Sequence, residues 1–159
     1  MEPDSTSLEH QVAGLGMFVG NFVHSLDPKR RITIPSVWRA QVGQPQSLYV
    51  LPDFHQKCLN VYPAAEMSRK LDALRRYPMA DEKARRFSRV LGGNSELLPW
   101  DTQGRIRIKD ELLAFAGLTE RVVLVGALDR FELWSPENST EGAELGLQNL
   151  REVGPDVQF

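Results

Sequence analysis

Isoleucine alternates with polar and charged residues at two places in the chain. Ile32 and Ile34 alternate with Arg31 and Thr33, and Ile106 and Ile108 alternate with Arg105, Arg107 and Lys109. A period of two predicts a half-buried strand with its isoleucines on a core. If the second strand is regular, Arg105, Arg107 and Lys109 all face one way. The flanks repeat as well. Val19, Phe22 and Val23 predict a strand ahead of the first motif, and "ELLPW" predicts one ahead of the second. A short helix follows each: "PSVWRAQVG", with Pro35 near its first turn and Gly43 at its end, and "DELLAFAG", with Asp110 as N-cap and Gly117 as its stop. "SLYVL" and "CLNVY" then close the first unit, and "RVVLV" and "RFELW" the second, whose last loop is two residues shorter. Asp27 and Asp101 open the two motifs, and 101 − 27 = 74, so a unit of about fifty residues occurs twice.

The pattern changes between and after the copies. Met67, Leu71 and Leu74, then Ala80, Ala84, Phe87 and Leu91, recur at helical spacing on either side of Tyr77-Pro78. They predict a helical pair linking two β units. A final helix is predicted within 136–151, with Gly142 and Gly146 against it. Strands and helices in this order give an α+β fold.

Charge distribution matters more here than the net value of −2. Residues 24–43 hold Lys29, Arg30, Arg31 and Arg39 against Asp27 alone. Residues 64–90 hold eight basic residues against four acidic ones, and 135–159 hold five acidic residues against Arg151. An acidic tail can thus mask a basic face, which leaves a nucleic-acid partner open. The lone Cys58 permits no intrachain disulfide and reads as a core residue, as do Trp38, Trp100 and Trp134. No apolar run approaches a membrane span, and the acidic start lacks a signal peptide's basic region, so a cytoplasmic protein is expected. His10, His24, His55 and Cys58 lack ligand spacing, and no nucleophile or phosphate-loop motif occurs. The expectation is no catalytic residue, no metal, no cofactor and no small-molecule substrate.

The repeated D-x-x-x-R is then the candidate site. Its Asp can accept backbone N–H bonds and pair with the Arg four residues on, tightening the turn. Gly104 suits a position of positive φ, and Arg30 stands at the equivalent place in the first copy. Arg105 and Arg107, with Lys29, Arg30 and Arg31 from the other copy, could follow a phosphate backbone or grip guanine. The same pattern also describes a solvated strand face with braced turns, and the residues leave both readings open.

"MFVGNFVHSLDPKRRITIPSVWR", "LNVYP", "DTQGRIRIKDELLAFAGL" and "VVLVGALDRFELW" together resemble the MraZ family of bacterial transcriptional regulators, from Met17 to about Trp134. The resemblance implies two pseudo-symmetric AbrB-like (SpoVT-AbrB) swapped-hairpin β-barrel repeats with linking helices. It divides the chain into a flexible extension (1–16), a first repeat with linker helix (17–76), a second repeat with linker helix (77–142) and an acidic tail (143–159). It implies a homo-oligomeric ring, nucleoid-associated, that binds short G-rich direct repeats in double-stranded promoter DNA. The target is the division and cell-wall gene cluster, and the usual effect is repression. Family motif positions fall on Asp27, Lys29 and Arg31, and on Asp101, Gly104 and Arg105, with Arg30 where the family has glycine. Lys29, Arg30, Arg31, Arg105 and Arg107 are the implied DNA-binding residues. Asp27, Asp101 and Gly104 orient the turns. The alternative is an interaction or assembly module of the same fold that does not read DNA.

Overall fold

The 74-residue offset between the motifs is kept by the strand, helix and next strand that follow each one. The computed structural model describes residues 17–43, 47–141 and 146–159. The first copy runs β1 (Asn21–Ser25), β2 (Arg31–Thr33), α1 (Ser36–Val42), β3 (Ser47–Pro52) and β4 (Leu59–Pro63). After α2 (Ala64–Leu74) and α3 (Glu82–Asn94) come β5 (Glu96–Pro99), β6 (Arg105–Arg107), α4 (Asp110–Ala116), β7 (Arg121–Gly126) and β8 (Phe131–Trp134). β6, α4 and β7 start at the first copy's positions plus 74; β8 starts at plus 72, as the shorter loop requires. The chain ends with α5 (Pro136–Glu141), α6 (Leu147–Val153) and a 3₁₀ turn (Gly154–Asp156). This is an α+β fold with six described helices around antiparallel sheet.

The copies do not fold side by side; they exchange strands. Six strands form one antiparallel sheet in the order β1-β7-β8-β4-β3-β5, so the first strand of each copy pairs with the third of the other. β2 and β6 make a separate two-stranded ribbon, with Arg31 opposite Arg107, Ile32 opposite Ile106 and Thr33 opposite Arg105. Shifting this register by one repeat maps each pair onto another of the same set. The central β4–β8 pairing, in which Asn60 faces Glu132, behaves likewise. A pseudo-two-fold axis therefore passes through both crossings. Backbone bonds close the ribbon symmetrically: Ile34 N–H donates to the Gly104 carbonyl at 2.9 Å, and Ile108 N–H to the Arg30 carbonyl at 3.0 Å.

Ile32 and Ile106 are fully buried beneath the ribbon, beside Ile34, Ile108, Leu59 and Leu124. Phe18, Phe22 and Phe131 surround Trp38 at centroid distances of 4.8–5.8 Å, and the indole N–H donates to the Val19 carbonyl at 2.9 Å. A second cluster on the other sheet face contains Cys58, Val123, Val125 and Trp134, so Cys58 and two of the tryptophans are core residues; Trp100 is half-buried. On this face Asn60 is satisfied by Asp53 (2.9 Å) and Arg130 (3.3 Å), and Arg130 bonds Glu132 at 3.0 Å.

Several expectations need correction. Val19 precedes β1: Phe18 and Leu128 exchange backbone bonds there, and Gly20 at φ 103° turns the chain into the strand. Lys109, not Asp110, is the N-cap of α4, because the Ile108 bond to Arg30 keeps the backbone extended one residue further. β6 itself ends at Arg107, and the Lys109 N–H donates to Glu96 Oε1 at 2.8 Å. Within the predicted terminal helix the described residues hold α5 and the start of α6, and 142–145 lie outside the described residues. The linking pair exists, broken before Pro78, but neither α2 nor α3 buries a residue fully, and Leu71 is exposed. The extension 1–16 lies outside the described residues. Among the described residues no helix is long and apolar enough to cross a membrane.

Candidate nucleic-acid interface

Each end of the ribbon is made by the same turn. Asp27 Oδ1 accepts the backbone N–H groups of Lys29 (2.9 Å) and Arg31 (2.8 Å), and Oδ2 accepts Arg31 Nε at 2.6 Å. In the second copy Asp101 accepts Gln103 (2.9 Å), Arg105 N–H (3.0 Å) and Arg105 Nε (2.8 Å). One carboxylate thus caps the turn with one oxygen and clamps a guanidinium with the other. Among the described residues the clamp uses Nε and no bond is made by the two terminal guanidinium nitrogens, the fork that matches guanine or a phosphate.

Geometry at the glycine position is shared despite the residue change. Arg30 adopts φ 65° and Gly104 φ 77°. The first turn therefore accepts left-handed strain of about 1 kcal/mol in order to place a cation at the ribbon end. Arg30 reaches Asp110 at 3.4 Å, but both side chains are at least half exposed, so the pair adds little stability. We expect Arg30→Gly to stabilise the fold by about 0.5–1 kcal/mol in thermal melts. It should also reduce the magnitude of the salt slope of DNA binding by about 0.9 per engaged protomer.

Gly104 is crowded in a way Arg30 is not. A Cβ there would run into the guanidinium of Arg39, which lies over the turn. Arg39 was legible only as part of a basic stretch; its position over the other copy's turn follows from strand exchange. Its Nε is buried and has no hydrogen-bond partner among the described residues.

Because the isoleucines point inward, Arg31, Thr33, Arg105 and Arg107 share the outer ribbon face. Arg31 and Arg105 are about three-quarters covered and charge-paired within their turns. Lys29 and Arg107 are exposed on the same ribbon and make no ion pair among the described residues, while Arg30 is exposed beside Asp110. A two-stranded ribbon is narrow enough for a major groove about 12 Å wide. Among the described residues, no three His, Cys, Asp or Glu side chains gather where they could hold a metal ion.

The aspartates also set an acid dependence. Partial burial pushes the Asp27 carboxyl up, but the backbone and guanidinium bonds from Arg31 outweigh it and hold it below its ordinary value of 3.8. At Asp101 the backbone bond from Arg105 is the largest influence, and the carboxyl is again held low. A carboxylate held low in the folded state contributes stability that is complete above the ordinary value and is lost as pH falls below it. Melting temperature should therefore decline below about pH 4, and the double variant Asp27→Asn/Asp101→Asn should show a shallower decline. An equal slope in both would remove the turns from the acid response.

A family model described as "MraZ protein, putative antitoxin-like" matches residues 17–90 and 93–140. The chain belongs to the MraZ family. Its two matched segments fall on the two copies, divided near the end of α3. A MraZ relative from Thermomicrobium roseum, named Transcriptional regulator MraZ, is 35% identical over 142 residues, covering 89% of this chain and 94% of its own. Relatives of the same name from Natranaerobius thermophilus and Clostridium acetobutylicum are 34% and 32% identical, over 86% and 79% of this chain and 95% and 86% of theirs.

Proposed function

We propose that this MraZ-family chain is a DNA-binding transcriptional regulator, not an enzyme, acting in the cytoplasm at the nucleoid. The observation that carries this reading is the ribbon: two turns built alike each clamp an arginine by Nε, and exposed cations lie alongside. Lys29, Arg30 and Arg31 make the main contacts, and Arg105 and Arg107 extend the same face. Asp27, Asp101 and Gly104 shape the turns without touching DNA. The exchanged strands correspond to the family's AbrB-like swapped hairpins, with repeats at 17–76 and 77–142 and a tail at 143–159. The target is a set of short G-rich direct repeats ahead of the division and cell-wall genes, the effect is repression, and the working form is a closed ring. Three exposed cations per protomer, one of them beside Asp110, make one contact weak, whereas several tethered contacts on successive repeats raise avidity by about 10²–10⁴.

A second reading takes support from the clamps themselves, since Arg31 and Arg105 already have charge partners and could serve only as braces in an interaction module. Binding to the DNA upstream of the chain's own gene, titrated across a salt series beside a scrambled duplex, separates the two. Specific binding with a log–log slope of about −0.9 per phosphate neutralised supports the regulator. Equal, weak affinity for both duplexes would overturn it in favour of the interaction module.

A further inference from the structure

The two ends of the ribbon share a backbone and differ in side chains, and the difference is made good from the other copy. Each turn lies against the start of the other copy's helix. The Gly104 carbonyl takes the Ile34 N–H just ahead of α1, and the Arg30 carbonyl takes the Ile108 N–H just ahead of α4. At the second end the turn residue is Gly104 and the helix residue over it is Arg39. At the first end the turn residue is Arg30, and the matching helix residue is Leu113, since 39 + 74 = 113. Arginine therefore occurs once at each end, on the turn at one and on the helix at the other.

Geometry brings the two arginines to equivalent places. A Cβ on Gly104 would meet Nη1, Cζ and Cδ of Arg39, so the guanidinium stands where a side chain at 104 would leave the turn. Arg30 leaves its own turn from nearly the same φ, 65° against 77°. Helical side chains lean toward the N-terminus of their helix, which is how Arg39, in the first turn of α1, reaches back to Gly104. Leu113 is 4% exposed and packs in the core, leaving that place at the first end to Arg30. The acid there is not repeated: Asp110 lies 3.4 Å from Arg30, and Ser36 holds the matching position, 110 − 74 = 36.

We infer that Arg39 contacts a DNA phosphate at the second ribbon end, as Arg30 does at the first. The inference rests on the regulator reading above and adds a residue from outside the repeated motif. Phosphate is the partner because Arg39 Nε is buried against the turn. A group seated so far back cannot extend to base edges, whereas a phosphate drawn to the turn can come to it.

Salt-titrated binding to the upstream duplex and to a scrambled one, with thermal melts as fold control, tests it. Arg39→Leu should reduce the magnitude of the log–log slope by about 0.9 per engaged protomer and weaken both duplexes alike. Arg39→Lys should keep the slope. Arg39→Leu/Gly104→Arg, which copies the first end's arrangement onto the second, should restore it. Where the leucine variant does not fold, Arg39→Gln removes the charge and reads the slope instead. A folded, uncharged variant with the wild-type slope overturns the contact. So does a loss of affinity at unchanged slope, which is what a brace for the turn would give. A reduced slope that the relocated arginine does not restore overturns the equivalence of the two ends. Equal, weak affinity of the wild type for both duplexes overturns the regulator reading itself.

Discussion

Arg31→Ala is expected to weaken binding to the upstream DNA by about 10- to 100-fold for each engaged contact, the size of one bidentate base contact. The fold should survive, because Asp27 still holds the turn through the backbone N–H groups of Lys29 and Arg31. The loss should exceed the contact itself, since removing the guanidinium leaves the Asp27 carboxylate uncompensated beside phosphates. Asp27→Asn added to Arg31→Ala should therefore recover part of the affinity. Arg31→Lys should rescue poorly, because lysine offers no Nε for the clamp and no fork for a base. Arg105→Ala, in a turn of the same geometry but without the neighbouring Lys29 and Arg30, should lose less. Electrophoretic titration with circular dichroism as a fold control reads all of this. A folded Arg31→Ala protein that binds as tightly as wild type would reduce the first turn to architecture.

Gly104→Ala is expected to cost about 2 kcal/mol, combining left-handed strain with displacement of Arg39. For a chain of this size the melting temperature should fall by roughly 4–8 °C. The first copy carries a long side chain at the same φ, because Arg30 points into solvent. Equal backbones therefore impose unequal demands, and Gly104→Arg should be worse than Gly104→Ala. Differential scanning calorimetry decides; a loss below about 0.5 kcal/mol would mean that Arg39 moves aside freely.

The sequence was most informative where the pattern is local. Isoleucine alternation placed Ile32, Ile34, Ile106 and Ile108 in the core, and the four-residue spacing of Asp27 and Arg31 anticipated their pairing. Alternation names a face but not a partner, so nothing local said that β1 would pair with β7 or that Arg39 would cover the other copy's turn. Nor did anything local say that the Ile108 N–H would bond the Arg30 carbonyl, 78 residues earlier in the chain. The spacing also could not report that the clamps offset the charges of Arg31 and Arg105, which leaves the exposed cations to set the salt response. On α3 the helical spacing of Ala84, Phe87 and Leu91 was read correctly, while Ala80 falls in the turn before the helix.

Strand exchange has a consequence for how the molecule is made. Asn21 pairs with Val125, 104 residues later in the chain. At a synthesis rate of about 5–20 residues per second, β1 waits roughly 5–20 s before its partner has even been polymerised. During that interval the first copy is an open edge whose complement is present in every finished molecule nearby. Polysomes bearing several nascent copies are the setting in which two half-made chains could pair with each other. The short linking helices, which return the second copy promptly to the first, keep that interval brief.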